Sequence, residues 1–156
     1  MNAKPIIRLL GPGDAAVLSD VAENVFDNEI DARWTAEFLS DPRHHMVVAM
    51  LDERVIGMAS AVHYVHPDKP PELWVNEVGV APPYRQQGIG RQLVVALFAR
   101  ARELGCKEAW LGTEESNTAA RRLYAAVGGV EETMVYITFE LDLHPHTKPP
   151  MESISE

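Results

Sequence analysis

The chain has 156 residues, of which 46% are hydrophobic and 24% are charged, so we expect one globular domain with a substantial core. Its formal net charge of -9 argues against a nucleic-acid partner and suits a cationic substrate, although acidity also serves solubility alone. The sequence has no apolar run that could cross a bilayer, no signal-peptide pattern and a single cysteine, Cys106, so we expect a cytoplasmic protein without a membrane partner.

The N-terminal part of the chain predicts a strand and two helices around an acidic segment. A strand is expected over 6–10, then a helix over 15–26 with Asp14 as its N-cap, then a helix over 32–39 with Trp34 and Phe38 facing inward. Residues 20–31 contain no Lys or Arg. This acidic segment is either an ordinary solvated face or a surface that receives a polyamine. Its acids are Asp20, Glu23, Asp27, Glu29 and Asp31.

Three strands are predicted in the middle of the chain. Residues 46–51 and 55–65 form a hairpin around the turn at 52–54. His63, Tyr64 and His66 cluster at the end of the second strand, but no partner stands at a recognised ligand spacing, so we expect no metal site. A Pro-rich loop then leads to residues 73–80, whose Val-rich sequence predicts a strand buried on both faces.

A glycine-containing joint connects that strand to a long helix ending near Leu104. Gly88 and Gly90 remove side chains where the helix begins, and a helix N-terminus offers unpaired N–H groups that favour a phosphate or pyrophosphate. Arg85 and Arg91 add positive charge on either side of the joint. The third glycine of the dinucleotide fingerprint and the lysine of the P-loop are both missing. By itself, the joint therefore also fits an ordinary helix start.

The last part of the chain predicts a strand, a helix and a closing hairpin. A strand over 109–112 would lie parallel to the strand at 73–80, because a helix connects them. Cys106 lies just before it, and we expect a structural thiol rather than a nucleophile. Ser116 or Asn117 can cap a helix that ends near residue 127, with Gly128 as the left-handed stop. Strands are expected over 131–133 and 135–143, followed by a Pro-rich, disordered tail over 144–156.

Two motifs in sequence order resemble those of the GNAT superfamily of N-acetyltransferases. The first is Arg-x-x-Gly-x-Gly between a strand and a helix, and the second is Asn-x-x-Ala-x-x-Leu-Tyr-x-x-x-Gly, which begins at Asn117. The resemblance covers residues 6–143 and implies a single domain over 1–143. It implies an α/β (α+β) fold with a mixed sheet of six to seven strands, about four helices and a splayed parallel pair that binds acetyl-CoA.

The resemblance also implies which residues hold acetyl-CoA. Backbone groups of Val78 and Val80 would pair with the pantetheine arm, and the Val80 amide would polarise the thioester carbonyl. Asn117 would contact the pantetheine, and Tyr124 would protonate the departing thiolate. The pyrophosphate would be held by the joint, which consists of Arg85, Gln86, Gln87, Gly88, Ile89, Gly90 and Arg91.

The chemistry of amine acetylation requires a base, since an aliphatic amine is mostly protonated at neutral pH. Glu77 is the first candidate because a carboxylate inside an apolar strand needs a partner or a function. Strict alternation places it opposite Trp74, Val78 and Val80. The alternative is a structural pair with an Arg or hydroxyl of a neighbouring strand. Glu72 is the second candidate.

The strand over 72–80 is similar to that of the aminoglycoside 3-N-acetyltransferases, which carry acids at the positions of Glu72 and Glu77. Residues 26–29 and the Pro-rich loop resemble the same group. We therefore expect a polycationic aminosugar as acceptor, with its 3-amino group favoured and with Asp27, Glu29, Glu72 and Glu77 as its binding residues. A protein amine, a polyamine or another small metabolite is the alternative acceptor, and a non-catalytic acyl-CoA sensor is the alternative class. Family members are often dimers, so a homodimer is also considered.

Overall fold

The computed structural model describes residues 3–141 and contains one sheet of five strands in the order β1-β2-β3-β4-β5. Strands β1 to β4 are antiparallel neighbours, whereas β5 runs parallel to β4. This arrangement confirms the predicted mixed sheet with a parallel pair. The strands are β1 (Ile6–Leu9), β2 (His44–Leu51), β3 (Arg54–Tyr64), β4 (Glu72–Val80) and β5 (Glu108–Trp110).

Three α-helices accompany the sheet: α1 (Ala32–Ser40), α2 (Ile89–Glu103) and α3 (Thr118–Ala126). Helix α2 packs on β2, β3 and β4 through its predicted apolar stripe, with Leu93 and Leu97 inaccessible to solvent. Burial of each such leucine contributes about 1.5–3 kcal/mol. The stripe therefore fixes α2 across the sheet, and this fixes where its N-terminus lies. In the described part of the chain, no helix combines the length and the apolar character needed to cross a membrane.

The fold class is confirmed, but the described residues hold five strands and three α-helices instead of the predicted six to seven strands and about four helices. The closing strands account for the missing ones. Residues 131–141 pair with no strand in the structure. Their sequence pattern favours a strand, but a strand also needs a neighbouring strand to pair with, which the pattern does not determine. The end of the predicted strand over 135–143, and the tail over 144–156, lie outside the described residues.

The prediction of a helix over 15–26 is wrong beyond its first turn. A 3-10 helix covers Ala15–Ser19, and the chain then crosses to β3, where the Ala22 amide donates to the Val55 carbonyl at 2.8 Å. Asn24 takes a left-handed backbone (φ 63) that a helix does not allow. Tertiary hydrogen bonds to β3 thus override the helical pattern.

Two side-chain predictions for this region are also wrong. Asp14 does not cap the following turn with its side chain; instead its carboxylate accepts from the Gly11 amide at 2.8 Å and pairs with Arg8. Trp34 is 70% exposed rather than facing inward. The helix that carries Trp34 does begin as predicted, and the Asp31 carboxylate caps it by accepting from the Trp34 amide at 2.9 Å.

Strand β4 contains a bulge that strict alternation does not predict. Ser60 of β3 lies opposite Glu77, but the next residue, Ala61, lies opposite Val75, so Asn76 is the extra residue of β4. A bulge of one residue shifts the alternation of side chains by one. Before the bulge and after it, the odd-numbered residues of β4 therefore point to opposite faces of the sheet.

Candidate functional site

Strand β4 has an unpaired edge next to β5. The two strands pair only from Glu72 to Trp74 of β4, and beyond that point they separate. The Ala81 amide donates to the Ile56 carbonyl of β3 at 2.9 Å. Because successive residues of a strand direct their backbone groups to alternate sides, those of Val80 and Val78 point away from β3. The backbone N–H and C=O groups of these two residues therefore face the unpaired edge, where they could form hydrogen bonds with an extended ligand.

The joint after β4 presents free backbone donors. Gly88 caps α2 in a left-handed conformation (φ 78), and Gln86 is also left-handed (φ 59). In the described part of the chain, the amides from Gln86 to Arg91 have no hydrogen-bond acceptor, and the first helical bond runs from Gln92 to Gly88 at 3.1 Å. Unpaired amides at the positive end of a helix dipole form an anion site. The geometry thus fits a pyrophosphate.

Arg85 fixes this joint to the end of β4. Its Nε atom donates to the Val80 carbonyl oxygen at 2.9 Å, so the joint and the unpaired edge are held together. An anion bound to the joint would therefore lie at a defined position relative to Val80.

Helix α3 closes against the first turn of α2. A side chain at Gly90 would come within 3.2 Å of the Leu123 Cδ2 atom, so the small residue allows the two helices to approach. Tyr124 is the next residue on α3, and burial raises the pKa of its phenol above the ordinary value of 10.0. A phenol of ordinary pKa is already protonated at neutral pH, and burial keeps Tyr124 in that form, which a proton donor requires.

Asn117 has a structural role that its sequence position predicts. Its Oδ1 atom accepts from the Ala120 amide at 3.1 Å and caps α3. At the other end of the helix, Gly128 adopts the predicted left-handed conformation (φ 92). A contact between Asn117 and pantetheine stays a prediction.

Glu77 lies on the face of the sheet opposite α2. It faces Ser60 across the β3–β4 ladder, and Trp74 faces Val62 on the same side of β3. The bulge at Asn76 therefore brings Glu77 and Trp74 to one face, and the prediction that they lie on opposite faces is wrong. Glu77 is exposed and, among the described residues, has no hydrogen-bond or salt-bridge partner. The structural pairing considered as an alternative is not observed there.

The side chain of Glu72 is part of a hydrogen-bonded polar cluster at the other end of β4. Its carboxylate pairs with Lys69 at 3.0 Å and accepts from the Tyr64 hydroxyl at 2.9 Å, and Trp110 donates to the same hydroxyl. These hydrogen bonds, led by that from Lys69, hold the pKa of Glu72 below the ordinary value of 4.5. At about 3.3 Å per residue, Glu72 lies about 16 Å from Glu77 along the strand. The structure does not bring the two candidate bases together.

The acidic segment reaches the face of β4 that carries Glu77. An added Cβ at Gly79 would lie 2.2 Å from the carbonyl oxygen of Val25, so the segment crosses directly over the end of β4. Sequence reasoning did not identify Gly79, although a glycine inside a strand is a known sign of close backbone approach. Asp27 and Glu29 follow two and four residues after Val25 and are exposed.

The acids of this segment divide into structural and free groups. Asp20 pairs with Arg54 at 3.2 Å, and Asp31 caps α1. Within residues 3–141, the carboxylates of Glu23, Asp27 and Glu29 have no hydrogen-bond or salt-bridge partner. A cavity of about 640 Å³ opens beside the segment, and Glu23 and Glu29 are among its lining residues. Cationic groups would find uncompensated carboxylates here.

The described residues contain no cluster of side chains that could hold a metal ion. His63 is instead paired with His45, with 2.8 Å between Nδ1 and Nε2. Cys106 is buried, and desolvation raises the pKa of its thiol above the ordinary value of 9.0, which agrees with a structural role.

Comparison with known proteins places these features in a family. The model of the acetyltransferase (GNAT) family matches residues 16–128. An uncharacterised N-acetyltransferase of Mycobacterium tuberculosis is 29% identical over 113 residues, which are 72% of this chain and 70% of that protein. An aminoglycoside N(6′)-acetyltransferase type 1 of Salmonella typhimurium is 33% identical over 90 residues, which are 55% of this chain and 61% of that protein.

Solved structures share the fold. Aminoglycoside N-acetyltransferase AAC(6′)-Iy in complex with CoA superposes with a TM-score of 0.73 at 23% identity, covering 90% of this chain and 97% of that one. An aminoglycoside acetyltransferase from an uncultured soil metagenomic sample, in complex with sisomicin, gives a TM-score of 0.75 at 18% identity, covering 88% and 97%.

Proposed function

The chain belongs to the GNAT family of acetyltransferases, and we propose that the amine it acetylates from acetyl-CoA is carried by a small polycationic aminosugar of the aminoglycoside class. The observation that supports this most is the close contact between Gly79 and Val25. It sets the acidic segment, which carries Glu23, Asp27 and Glu29, on the face of β4 that carries Glu77. Several ammonium groups of one acceptor could then be held while another reaches the acetyl group.

The proposed roles follow from the two faces of β4. The joint from Arg85 to Arg91 holds the pyrophosphate, and the unpaired edge at Val78 and Val80 holds the pantetheine arm. Glu77, on the acidic-segment face, takes the proton of the attacking amine directly or through water. Tyr124, on the α2 side, returns a proton to the departing thiolate. The two groups therefore approach the thioester through the gap between β4 and β5.

Glu77 is preferred to Glu72 as the base for two reasons. Glu77 has no partner in the described residues, whereas Glu72 is bound to Lys69 and Tyr64. A carboxylate that is already charge-paired and has a lowered pKa is also a weaker proton acceptor. Glu72 instead supports the N-terminal end of β4.

The position of acetylation is the finer part of the proposal. The sequence similarity of residues 72–80 favours the 3-amino group, whereas the Salmonella typhimurium relative and AAC(6′)-Iy are named for the 6′ position. NMR of the product obtained from kanamycin or sisomicin distinguishes the two, because the shifted amine-bearing carbon identifies the acetylated site.

An acceptor panel tests the substrate class. The purified chain is given acetyl-CoA with aminoglycosides, spermidine and peptide amines, and thiol release is followed. We expect turnover with aminoglycosides at a kcat/KM at least ten times that of the other amines. Turnover only with spermidine or peptides would replace the acceptor class. Binding of acetyl-CoA without turnover on any amine would favour a sensor.

The base is tested in Glu77→Gln. Catalysis by a positioned base contributes typically about 10²–10⁴-fold, so kcat should fall by that factor near pH 7 and recover partly as pH rises and more amine is deprotonated. Glu103→Gln is the matched control, because Glu103 is an exposed acid on the last turn of α2, about 20 Å from the start of that helix. A pH–rate profile of Glu77→Gln that matches wild type would exclude Glu77 as the base.

A further inference from the structure

Two indole side chains lie on the face of the sheet that carries Glu77. Trp74 and Trp110 are the last residues that β4 and β5 pair before the two strands separate. Their ring centroids are 5.1 Å apart and the ring planes meet at 81°, so the rings form an edge-to-face corner and not a closed stack. We call this pair the indole corner. Trp110 is 44% exposed, so the corner is open to solvent.

The indole corner lies close to the proposed base. Glu77 and Trp74 are opposite Ser60 and Val62 of β3. Because these two β3 residues are two positions apart, the Cα atoms of Glu77 and Trp74 are about 7 Å apart along the sheet. This distance is comparable with the width of one sugar ring and its amino substituents. An acceptor whose amine reaches Glu77 would therefore lie over the corner with the rest of its ring.

The polar cluster around Glu72 holds Trp110 in place. The Trp110 Nε1 atom donates to the Tyr64 hydroxyl at 2.9 Å, and this hydroxyl donates to the Glu72 carboxylate at 2.9 Å. Lys69 pairs with the same carboxylate at 3.0 Å. Glu72 is only 8% exposed, and a buried carboxylate that is fully hydrogen-bonded keeps its partners in fixed positions. The cluster thus fixes the orientation of a side chain that is itself nearly half exposed.

We propose that the sugar ring of the acceptor packs on the indole corner, and that Tyr64 and Glu72 position Trp110 for this contact. This inference rests on the proposed function and adds to it the residues that recognise the ring, since the carboxylates of the site recognise only its ammonium groups. An aminosugar ring has a face of C–H groups that packs on an indole, and its ammonium groups are attracted to the π face of the indole.

The charges around the indole corner suit such an acceptor. Glu77 lies on one side of the corner along the strands, and Glu108 lies on the other side, two residues before Trp110 and therefore on the same face. Both acids are exposed, and within residues 3–141 neither has a salt-bridge or hydrogen-bond partner. An aminosugar carries ammonium groups around a ring and matches both features. A linear polyamine has the charges but no ring that could pack on the indoles.

Nuclear magnetic resonance of the indole N–H groups tests the contact directly. The chain has three tryptophans, so a nitrogen-labelled sample gives three indole signals, which substitution of each tryptophan by phenylalanine assigns. Kanamycin is titrated in the presence of CoA, which cannot transfer an acetyl group. We expect saturable shifts of the Trp74 and Trp110 signals. Trp34 is the internal reference, because α1 packs on β2, which lies two strands away from β4.

The outcomes of this titration separate the indole corner from the proposed function. If the Trp74 and Trp110 signals do not move although kanamycin is acetylated in the acceptor panel, the corner is overturned and the proposed function stands. If both signals shift but no aminosugar is acetylated, the corner is retained as a binding surface and the proposed function is overturned. Neither shift nor turnover would overturn both.

Steady-state kinetics show whether the corner acts in binding. In Trp110→Leu we expect KM for kanamycin to rise about 10-fold while kcat changes less than about 2-fold, because the contact is made with the acceptor before and during the reaction. Trp34→Leu is the matched control, since it removes an indole that is 70% exposed on α1, and it should keep the KM of wild type. An unchanged KM in Trp110→Leu, or an equal rise in Trp34→Leu, would overturn the proposal.

The positioning role is tested in Tyr64→Phe, which keeps the aromatic ring and removes the hydroxyl. The Trp110 indole signal should move and its proton should exchange faster with water, because its acceptor is lost. KM for kanamycin should rise about 3-fold, with kcat and the affinity for acetyl-CoA unchanged. A Trp110 signal and a KM that both match wild type would overturn the positioning of Trp110 by Tyr64.

Discussion

The buried side chain of His45 predicts how the stability of the protein depends on pH. It lies on β2, is 4% exposed, and its Nε2 atom shares a hydrogen bond of 2.8 Å with Nδ1 of His63. Burial lowers its pKa from 6.5 to about 4, and His63, Arg100 and His44 add unfavourable positive charge, against which Asp41 acts only weakly. The folded protein therefore holds His45 neutral.

The direction and size of the effect follow from proton linkage. The unfolded chain binds a proton at His45 below pH 6.5, whereas the folded chain does so only near pH 4. Stability from the neutral imidazole is thus complete above pH 6.5 and is lost as pH falls toward 4. Since one pKa unit corresponds to about 1.4 kcal/mol, the loss is about 2.5 kcal/mol by pH 4.5 and about 3.5 kcal/mol in full.

Urea unfolding of wild type and His45→Gln at pH 7.5 and pH 4.5 measures this loss. The glutamine keeps a hydrogen-bonding group but does not titrate, so its free energy of unfolding should fall by about 2.5 kcal/mol less than that of wild type. Asn28→Gln, which exchanges one amide for another at an exposed position, is the control and should lose as much as wild type. Equal losses in wild type and His45→Gln would refute the assignment of a buried neutral imidazole.

Three further substitutions probe the site. In Gly79→Ala the new Cβ would meet the Val25 carbonyl, so we expect urea unfolding to show a loss of about 1–3 kcal/mol in unfolding free energy. Steady-state kinetics should show a raised KM for the amine, and calorimetry should show that acetyl-CoA affinity is retained. In Glu72→Gln the salt bridge with Lys69 is lost, so the variant should be less stable than wild type at neutral pH in thermal melts. Because the pKa of Glu72 is lowered in the folded protein, wild type loses the stability from this carboxylate as pH falls below 4.5, and the stability of the variant should depend less on acid pH. In Tyr124→Phe we expect kcat to fall about 10²-fold at pH 7 with unchanged acetyl-CoA affinity by calorimetry, because the protonated phenol is lost.

Matched controls make these results decisive. Gly112→Ala introduces the same methyl group where nothing lies within 4 Å, so it should leave KM unchanged. If it raises KM as Gly79→Ala does, contact with the acidic segment is not the cause. If the stability of Glu72→Gln falls with acid as much as that of wild type, Glu72 does not contribute to the pH dependence of stability. If Tyr124→Phe is fully active, the phenol is not the proton donor in the reaction.

Two backbone irregularities of β4 decide which groups reach the site. The bulge at Asn76 brings Trp74 to the face that carries Glu77, and the separation from β5 after Trp74 opens the edge at Val78 and Val80. A regular strand paired along its full length would offer neither. The proposed chemistry therefore depends on where the sheet departs from regular geometry.

The sequence by itself determined the features that depend on local backbone chemistry. Gly88 and Gly128 take left-handed conformations at the two helix ends where a glycine predicts them, and Asn117 caps α3 as its side chain allows. The apolar stripe through Leu93 and Leu97 likewise placed α2 against the sheet. These predictions hold because their causes lie within a few residues of chain.

Only the tertiary structure decided the features that depend on contacts between distant segments. The chain at Ala22 bonds to β3 and so cannot continue the predicted helix, and the bulge in the β3–β4 pairing brings Trp74 to the face of Glu77. Lys69 and Tyr64 bind the carboxylate of Glu72, which the sequence offered as the second candidate base after Glu77. Each of these outcomes depends on which segments become neighbours, since a buried backbone group or carboxylate takes the partner that folding brings to it, wherever that partner lies along the chain.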